Sequence, residues 1–273
     1  MELQDLQGKV GFIAGGTSGI NLGIAKKLRE SGVKLAVLGR DLEKAKNAAL
    51  SLSEDEGLAI GLSGDVRDYE AMEAALAKTT EHFGGPLDIV ISGAAGNFVC
   101  PASKLSPGGF KAVVDIDLVG TFNVFRSSYE SLNPNGASLI AITAPQAEAP
   151  YQFQAHACAA KAGVNMLTKC LALEWGRKGI RVNGISPGPI ADTEGVSRLL
   201  AQAGEEYVQS LALKRLGTKD EVASLALFLC SEQASYITGS IFSCDGGSSL
   251  GSHSFTGRAR PQMGGESAAQ DPS

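Results

Sequence analysis

Short apolar runs alternate with amphipathic helical segments along most of the chain, and this alternation constrains the fold more than any other feature. The first run, KVGFIAGG, ends in glycines, and GIAKKLRESG follows with apolar residues at helical spacing before a terminating glycine. The same order repeats through KLAVLGR, LAIGLSGDV and LDIVISGAAG, and strands return in ASLIAIT and IRVNGISPG. Strands separated by helices of this length predict an α/β fold with a parallel sheet covered by helices on both faces.

No break in composition divides residues 1–250, so we expect them to form a single domain. A chain of 273 residues suits one large α/β domain, and 34 glycines with 6% aromatic residues favour closely packed helices and strands over a β-sandwich. From about Gly251 the sequence is rich in Gly, Ser, Pro and charge and poor in β-branched residues. We therefore expect residues 251–273 to be a flexible C-terminal tail.

The acidic balance of the chain argues against nucleic acid as a partner. Because the formal net charge is −5 at pH 7, a small anionic ligand has to be met by local positive groups. The five cysteines lack metal-ligand spacing, which predicts no metal site and buried thiols in a reducing compartment. The N-terminal sequence has no signal-peptide core, and no run approaches the roughly 20 apolar residues of a membrane span. We expect a cytoplasmic protein without membrane insertion.

A glycine-rich stretch, AGGTSGINLGIA, stands between the first predicted strand and the first predicted helix. In that position Gly15 and Gly19 allow a tight turn and let a pyrophosphate approach the helix N-terminus, as in Rossmann-type doubly wound sheets. Asn21 replaces the third glycine of the usual pattern and can hydrogen-bond locally. The stretch predicts a dinucleotide site with contacts from Gly15, Thr17, Ser18, Gly19 and Ile20.

The end of the second strand indicates which nicotinamide cofactor this site takes. A site for NAD typically has Asp or Glu there to bind the ribose diol, whereas this strand ends in Gly39 and Arg40. Arginine favours a 2′-phosphate through charge-assisted contacts, so the sequence predicts NADP(H). Asp41 is predicted to cap the following helix. Asp65 after the third strand fits a contact to adenine or, alternatively, an ordinary turn.

Four motifs make the chain from about Leu6 to Leu250 resemble the short-chain dehydrogenase/reductase family. They are AAGNF at 94–98, DIDLVGTFNV at 115–124, AHACAAKAG at 155–163 and LALEWGRKGIRVNGISPGPIADTEG at 171–195. The chain looks most similar to the 2,4-dienoyl-CoA reductase branch of that family, particularly to its peroxisomal type. The resemblance implies NADPH-dependent reduction of 2,4-dienoyl-CoA to 3-enoyl-CoA in auxiliary fatty-acid β-oxidation. It also implies a homotetramer assembled through helices near 115–129 and 155–174.

Three positions depart from the general pattern of the family. Asp117 stands where most short-chain reductases have Asn, Ala144 where they have Ser, and Ala157 where they have Tyr. The peroxisomal branch resembles this chain in having that aspartate and Lys161 but no tyrosine. The tyrosine of the mitochondrial type corresponds to Gln146. The missing phenol argues against simple alcohol dehydrogenase chemistry and is compatible with reduction of an enoyl or dienoyl thioester.

The resemblance implies that Asp117 and Lys161 are the catalytic pair. Hydride addition to a dienoyl thioester collects negative charge on the thioester oxygen, which positioned donors stabilise, and an ordered water can then protonate a carbon. Lys161 would hold the nicotinamide ribose and supply positive charge, and Asp117 would fix Lys161 and that water. The alternatives are a purely structural hydrogen bond for Asp117 and a solvated position for Lys161.

The same resemblance supplies the remaining predicted contacts. In PGPIADTEG at 187–195, Ile190 would cover the nicotinamide ring and Thr193 would reach its amide or a phosphate, and VSRLL would begin a lid helix. Arg67, Phe98 and Arg198 match residues that hold the CoA ester, although Arg67 also fits a surface ion pair and Phe98 a core position. The further predicted cofactor contacts are Arg40, Asp65, Val66, Ala94, Lys161, Pro187, Gly188, Ile190 and Thr193.

Two other functions stay open on the sequence alone. One is a short-chain reductase that acts on an enoyl or 3-oxoacyl thioester or on another carbonyl compound. The other is a non-catalytic NADP-binding protein. In the leading interpretation the substrate is an acyl-CoA-type small molecule, whose chain length and unsaturation pattern the residues do not specify.

Overall fold

The apolar runs form a parallel sheet in the order β3-β2-β1-β4-β5-β6-β7 within residues 4–193, 195–197 and 206–250, which are the residues that the computed structural model describes. Its strands are β1 (Val10–Ala14), β2 (Lys34–Gly39), β3 (Ala59–Ser63), β4 (Ile89–Ser92), β5 (Ala137–Ile142), β6 (Ile180–Pro187) and β7 (Ile241–Cys244). Every neighbouring pair is parallel, which confirms the predicted doubly wound fold. The predicted C-terminal tail lies outside the described residues.

Helices connect the strands and cover both faces of the sheet. They are α1 (Gly19–Glu30), α2 (Leu42–Leu50), α3 (Tyr69–Phe83), α4 (Pro107–Val114), α5 (Gly120–Ser128), α6 (Ala155–Trp175) and α7 (Lys219–Cys230). A π-helical stretch, Asp115–Val119, joins α4 to α5. Short 3-10 turns lie at Gln4–Leu6, Ala102–Lys104, Tyr129–Ser131, Pro145–Ala147, Gly176–Lys178, Glu232–Ala234 and Ser248–Leu250.

One predicted helix begins earlier than expected. The helix predicted over 115–129 starts at Pro107, because the Ser106 side chain accepts a hydrogen bond from the Gly109 backbone N–H and so caps it. Proline is well tolerated in a first helical turn, where its missing N–H would have no partner. The result is one long helical segment with the π-turn at its centre.

Two apolar layers, one on each face of the sheet, hold the domain together. One layer packs α3, α5 and α6 against the strands and includes the buried Met72, Phe125 and Val164. The other packs α1 and α7 against the opposite face and includes Ile24 and Leu229. Full burial of one such side chain contributes about 1.5–3 kcal/mol. These layers hold the sheet in place, and the sheet in turn positions the loops at its carboxyl edge.

Local capping sets where α2 and α7 begin. Asp41 accepts a hydrogen bond from the Lys44 backbone N–H at 3.1 Å, which confirms the predicted cap. At α7, Thr218 and Glu221 form a reciprocal capping box. Arg215 donates to Glu221 at 2.6 Å, and this hydrogen bond is the main reason that the pKa of Glu221 falls to about 2.

The cysteines differ from the expected buried thiols. All five are free, but only Cys230 is buried, and burial raises its pKa to about 12. Cys170 is exposed because it lies on the outer face of α6 together with Met166 and Leu173. Within the described part of the chain, every helix is too short or too polar to cross a bilayer.

Candidate active site

The loops after β1 and β4 meet where the sheet order reverses, at the carboxyl edge of the sheet. Gly15, after β1, has φ +75°, and a Cβ there would lie 2.7 Å from the backbone nitrogen of Ala94, after β4. Open α/β sheets bind ligands in the crevice at such a reversal point. The predicted cofactor contacts Gly15 and Ala94 are therefore side by side at the usual ligand position.

The N-terminus of α1 lies next to this crevice and suits an anion. Its N-cap, Ser18, makes no side-chain capping bond, so the first-turn N–H groups lack that partner. Gly19 has φ +59°, and a Cβ there would meet nothing within 4 Å. Asn21 donates to the carbonyls of Gly93 at 2.8 Å and Gly15 at 3.2 Å, which ties the two loops together. Open space beside unpaired N–H groups at a positive helix end fits the pyrophosphate of a dinucleotide.

Two arginines and an aspartate lie at the ends of β2 and β3. The Arg67 guanidinium donates to both carboxylate oxygens of Asp65, at 3.0 Å from Nε and 2.5 Å from Nη2, so Arg67 forms the surface ion pair foreseen as an alternative. This hydrogen bond is the largest cause of the lowered pKa of Asp65. Arg40 is exposed and has no ion-pair partner among the described residues. Thr17 packs against Gly39, where a Cβ would lie 2.6 Å from the Thr17 methyl group.

Asp117 and Lys161 form a buried ion pair. Lys161 Nζ lies 3.2 Å from Asp117 Oδ2, and the two side chains are 10% and 2% exposed. Lys161 Nζ also donates to the Ile142 carbonyl at 3.0 Å, and Asp117 Oδ1 accepts from the Gly96 backbone N–H at 2.8 Å. Buried charges need such additional partners. This geometry excludes the solvated position considered for Lys161, and Asp117 makes more than a single structural hydrogen bond.

Asp117 lies in the π-helical stretch between α4 and α5. A π-turn accommodates an extra residue and is frequent at functional sites. Thr121 Oγ1 donates to the Asp117 carbonyl at 2.7 Å, and Ser92 Oγ donates to Thr121 Oγ1 at 3.1 Å. A Cβ at Gly120 would lie 2.6 Å from Cγ2 of Val66, so this turn packs tightly beneath the predicted cofactor contact Val66. These contacts fix the backbone that carries the Asp117 carboxylate.

Alanine occupies position 157, one turn before Lys161 in α6. Ala157 is buried with Val113 in the apolar contact between α6 and α4, and its methyl side chain has no proton to offer. Gln146 donates its side-chain amide to Gln154 at 3.1 Å. Tyr151, in the loop before α6, is half-buried, and burial is the largest cause of its raised pKa. A phenol with a raised pKa is a weaker acid, so Tyr151 is a poor substitute for the missing proton donor.

The loop after β6 is held at both ends. A Cβ at Gly188 would lie 2.5 Å from the Asp245 Cα, so Gly188 permits the close approach of the loops after β6 and β7. Ile190 is buried and forms a parallel bridge with Gly217. Thr193 Oγ1 donates to the Ile190 carbonyl at 2.7 Å and accepts from the Val196 N–H at 3.3 Å. Residues 195–197 are helical, and the predicted substrate residue Arg198 lies outside the described residues.

Phe98 is an exposed residue rather than a core residue. Its side chain is 41% exposed, and its ring stacks on that of His156 with centroids 4.3 Å apart. His156 was not predicted as a functional residue. Its position directly before Ala157 in α6 was the only signal, and nothing in the local pattern indicates the stack, because Phe98 lies in the loop after β4 and His156 in the first turn of α6.

A family model described as Enoyl-(Acyl carrier protein) reductase matches residues 14–249. The chain is 41% identical over 249 residues to the peroxisomal 2,4-dienoyl-CoA reductase of Saccharomyces cerevisiae, covering 88% of this chain and 84% of that protein. It is 44% identical over 248 residues to the peroxisomal 2,4-dienoyl-CoA reductase of Rattus norvegicus, covering 89% and 84%. Both relatives are named as (3E)-enoyl-CoA-producing.

A bacterial relative carries a different product in its name. The probable 2,4-dienoyl-CoA reductase of Bacillus subtilis, named as (2E)-enoyl-CoA-producing, is 39% identical over 255 residues, covering 92% of this chain and 100% of that protein. Among solved structures, a short chain dehydrogenase from Bacillus anthracis matches with a TM-score of 0.85 and 37% identity, covering 92% of this chain and 100% of that one. These similarities extend over nearly the whole described domain.

Proposed function

The chain belongs to the short-chain dehydrogenase/reductase family of oxidoreductases, and on that premise we propose that it reduces 2,4-dienoyl-CoA thioesters to 3-enoyl-CoA thioesters. The observation that carries the proposal is the buried Asp117–Lys161 ion pair, with alanine at positions 144 and 157. Two of the relatives that support it are named for this substrate and for a 3-enoyl product. Family membership also implies a nicotinamide cofactor.

The proposed chemistry needs charge stabilisation and an ordered water rather than a phenol. A bound nicotinamide would supply the hydride, which would add to the far end of the conjugated system. Lys161 stabilises the negative charge that then collects on the thioester oxygen, since a positioned cation acts strongly in a site shielded from water. Asp117 holds the Lys161 ammonium at 3.2 Å and orients the water that protonates a substrate carbon.

The substrate assay tests the proposal directly. Purified protein with NADPH and 2,4-hexadienoyl-CoA is expected to lose the absorbance of both the cofactor and the diene, and chromatography is expected to identify the 3-enoyl product. A 2-enoyl product would instead match the name of the Bacillus subtilis relative. Turnover of crotonyl-CoA or acetoacetyl-CoA in place of the dienoyl thioester would favour another short-chain reductase. Cofactor binding with no turnover of short, medium or long dienoyl-CoA would favour the non-catalytic alternative.

We propose NADPH as the specific cofactor, with Arg40 as the residue that selects it. Replacing Arg40 by Ala is expected to raise the KM for NADPH by about 10- to 100-fold, because one charge-assisted contact to the 2′-phosphate is lost. The KM for NADH, which lacks that phosphate, is expected to change by less than about twofold. Steady-state kinetics with both cofactors measures the difference, and Arg177→Ala serves as an exposed arginine control. Equal changes for both cofactors would contradict this role.

We also propose that Phe98 and Arg67 face the acyl-CoA, with Arg198 contributing from the predicted lid. Phe98 supports this proposal because it is exposed on the same loop as Gly96, the backbone partner of Asp117. The Arg67 side chain is 45% exposed while paired to Asp65, so part of its guanidinium is accessible to a second anion. Arginine suits such a bidentate arrangement better than lysine does.

A homotetramer is proposed from the outer faces of α5 and α6. Val119, directly before α5, and Phe122 in α5 are exposed, as are Met166 and Leu173 in α6, and contiguous exposed apolar side chains mark interaction surfaces. Phe122→Glu combined with Leu173→Glu is expected to lower the mass measured by light scattering at least twofold. Leu50→Glu, which changes an exposed leucine on α2, is expected to leave the mass unchanged. The same mass for all three proteins would contradict the proposed interface.

A further inference from the structure

Two segments beside the ion pair are fastened to each other, and we call them the loop clamp: residues 94–100 after β4, and residues 151–156, which lead into α6 and include its first two residues. Three contacts join them, namely Asn97 Nδ2 to Gln154 Oε1 at 2.8 Å, the Cys100 N–H to the Phe153 carbonyl at 2.9 Å, and the stacked rings of Phe98 and His156. The loop that carries Phe98 is therefore positioned by the loop that leads into the helix of Lys161.

The backbone of the clamp is strained at Phe153. This residue has φ +64°, a left-handed conformation that a bulky side chain rarely adopts. Its side chain is half-exposed, so packing does not hold it there. Such conformations persist only where surrounding contacts determine them, and they cluster at ligand clamps and active sites. Here the Phe153 carbonyl accepts the hydrogen bond that links the two loops, so the strain belongs to the clamp.

His156 is fully buried, and neither of its ring nitrogens has a hydrogen-bond partner in the described part of the structure. A buried polar group without a partner is unfavourable, so its presence calls for a specific reason. What the ring does provide is a flat face, tilted by 30° from the plane of Phe98.

Phe98 is confined on one side and open on the other. His156 lies against one side of its ring, and Cζ of Phe98 lies 3.2 Å from where a Cβ on Gly109 would be, at the start of α4. Because Phe98 is still 41% exposed, part of its surface remains free for a ligand. A flat aromatic surface is suited to contact a planar conjugated acyl chain.

We propose that His156 is a positioning residue for acyl-thioester binding, whose ring plane, and not its nitrogens, sets the orientation of Phe98 in the loop clamp. The proposal rests on the proposed function, because it assigns Phe98 to the acyl-CoA. It adds that recognition of the acyl group depends on a residue that the substrate does not touch. Cofactor binding is not expected to depend on that residue.

Kinetics of three variants at this position test the proposal. His156→Ala removes the stacked ring and is expected to raise the KM for 2,4-hexadienoyl-CoA about three- to tenfold. The KM for NADPH and kcat are expected to stay within about twofold. His156→Phe keeps an aromatic plane without buried nitrogens, so it is expected to restore the wild-type KM and to unfold at a higher temperature. His156→Asn keeps polar atoms without the ring and is expected to behave like the alanine variant.

A control removes an exposed histidine that also contacts a phenylalanine ring, far from the loop clamp. His82 packs edge-on against Phe83 on α3, with centroids 4.9 Å apart, so His82→Ala is expected to leave both KM values unchanged. Should His156→Ala fail to fold, the comparison of His156→Phe with His156→Asn is decisive, because it removes or keeps the stacked ring while Phe98 stays in place. Phe98→Leu removes the proposed substrate contact itself and is expected to give the same rise in KM.

Several results would overturn the inference. A wild-type KM for the dienoyl thioester in His156→Asn, together with a raised KM in His156→Phe, would mean that the ring nitrogens matter. An unchanged KM for the dienoyl thioester in both His156→Ala and Phe98→Leu would remove the positioning role. Absence of dienoyl-CoA turnover by the wild-type protein would contradict both the proposed function and this inference. Wild-type turnover with unaffected variants would defeat the inference alone.

Discussion

Asp117→Asn is expected to lower kcat for 2,4-hexadienoyl-CoA by about 10²- to 10⁴-fold, the range attributed to positioned proton-transfer groups. The amide is close in shape to the carboxylate, so the Gly96 N–H at 2.8 Å can keep its acceptor. The substitution removes the negative charge that holds Lys161 Nζ at 3.2 Å and the acceptor that orients the proton-delivering water. Binding of NADPH, measured by fluorescence titration, is expected to persist.

Asp115→Asn is the matched control for this prediction. Asp115 lies in the same π-helical stretch, but its side chain pairs with the exposed Lys111 instead of facing the candidate active site. Its neutralisation is expected to leave kcat within about twofold, because surface ion pairs contribute about 0–1 kcal/mol. An Asp117→Asn protein with wild-type kcat would show that the carboxylate is structural and would remove the basis of the proposed chemistry.

Lys161→Met is expected to affect activity and stability together. The variant loses the cation placed to stabilise the thioester oxygen, which corresponds to a fall in kcat of at least about 10²- to 10³-fold. It also leaves the Asp117 carboxylate, which is 2% exposed, without its counter-charge. Breaking a buried pair in this way costs about 3–5 kcal/mol. For a domain of this size we expect the melting temperature to fall by roughly 10 °C, as measured by circular dichroism.

The double variant Asp117→Asn with Lys161→Met separates the two effects. Because no uncompensated charge remains, it is expected to recover a large part of the lost melting temperature while staying inactive. Lys169→Met, an exposed lysine on the same helix, is expected to change neither quantity. If the double variant were as unstable as Lys161→Met alone, the destabilisation would come from lost packing of the lysine side chain.

Much of the fold could be predicted because it depends on local patterns. The spacing of apolar residues predicted the order of strands and helices, and Asp41 could be predicted as a cap from its place before a charged helix. The ion pair of Arg67 was among the predicted alternatives because its partner, Asp65, lies only two residues earlier in the sequence. The helical segment containing Asp117 begins eight residues before the predicted Asp115, because Ser106 caps it and Pro107 fits its first turn.

The candidate active site could be predicted only in part. Asp117 and Lys161 were identified through a resemblance, since no periodicity brings two residues so distant in sequence into contact. The π-helical stretch was not predicted, because no local pattern in residues 115–119 marks it. The stack of His156 on Phe98 was not predicted either, since only the tertiary arrangement of the loop after β4 and the start of α6 creates it.

The π-helical stretch also bears on how this segment tolerates changes in length. Each residue of a regular α-helix advances the side chains by about 100° around the axis. Loss of a single codon within this stretch would let the backbone from α4 to α5 run as one regular helix, so the scaffold would survive the deletion. The reactive carboxylate would be turned away from its ammonium partner. A homologue that is one residue shorter at this point would therefore be expected to fold but to lack activity.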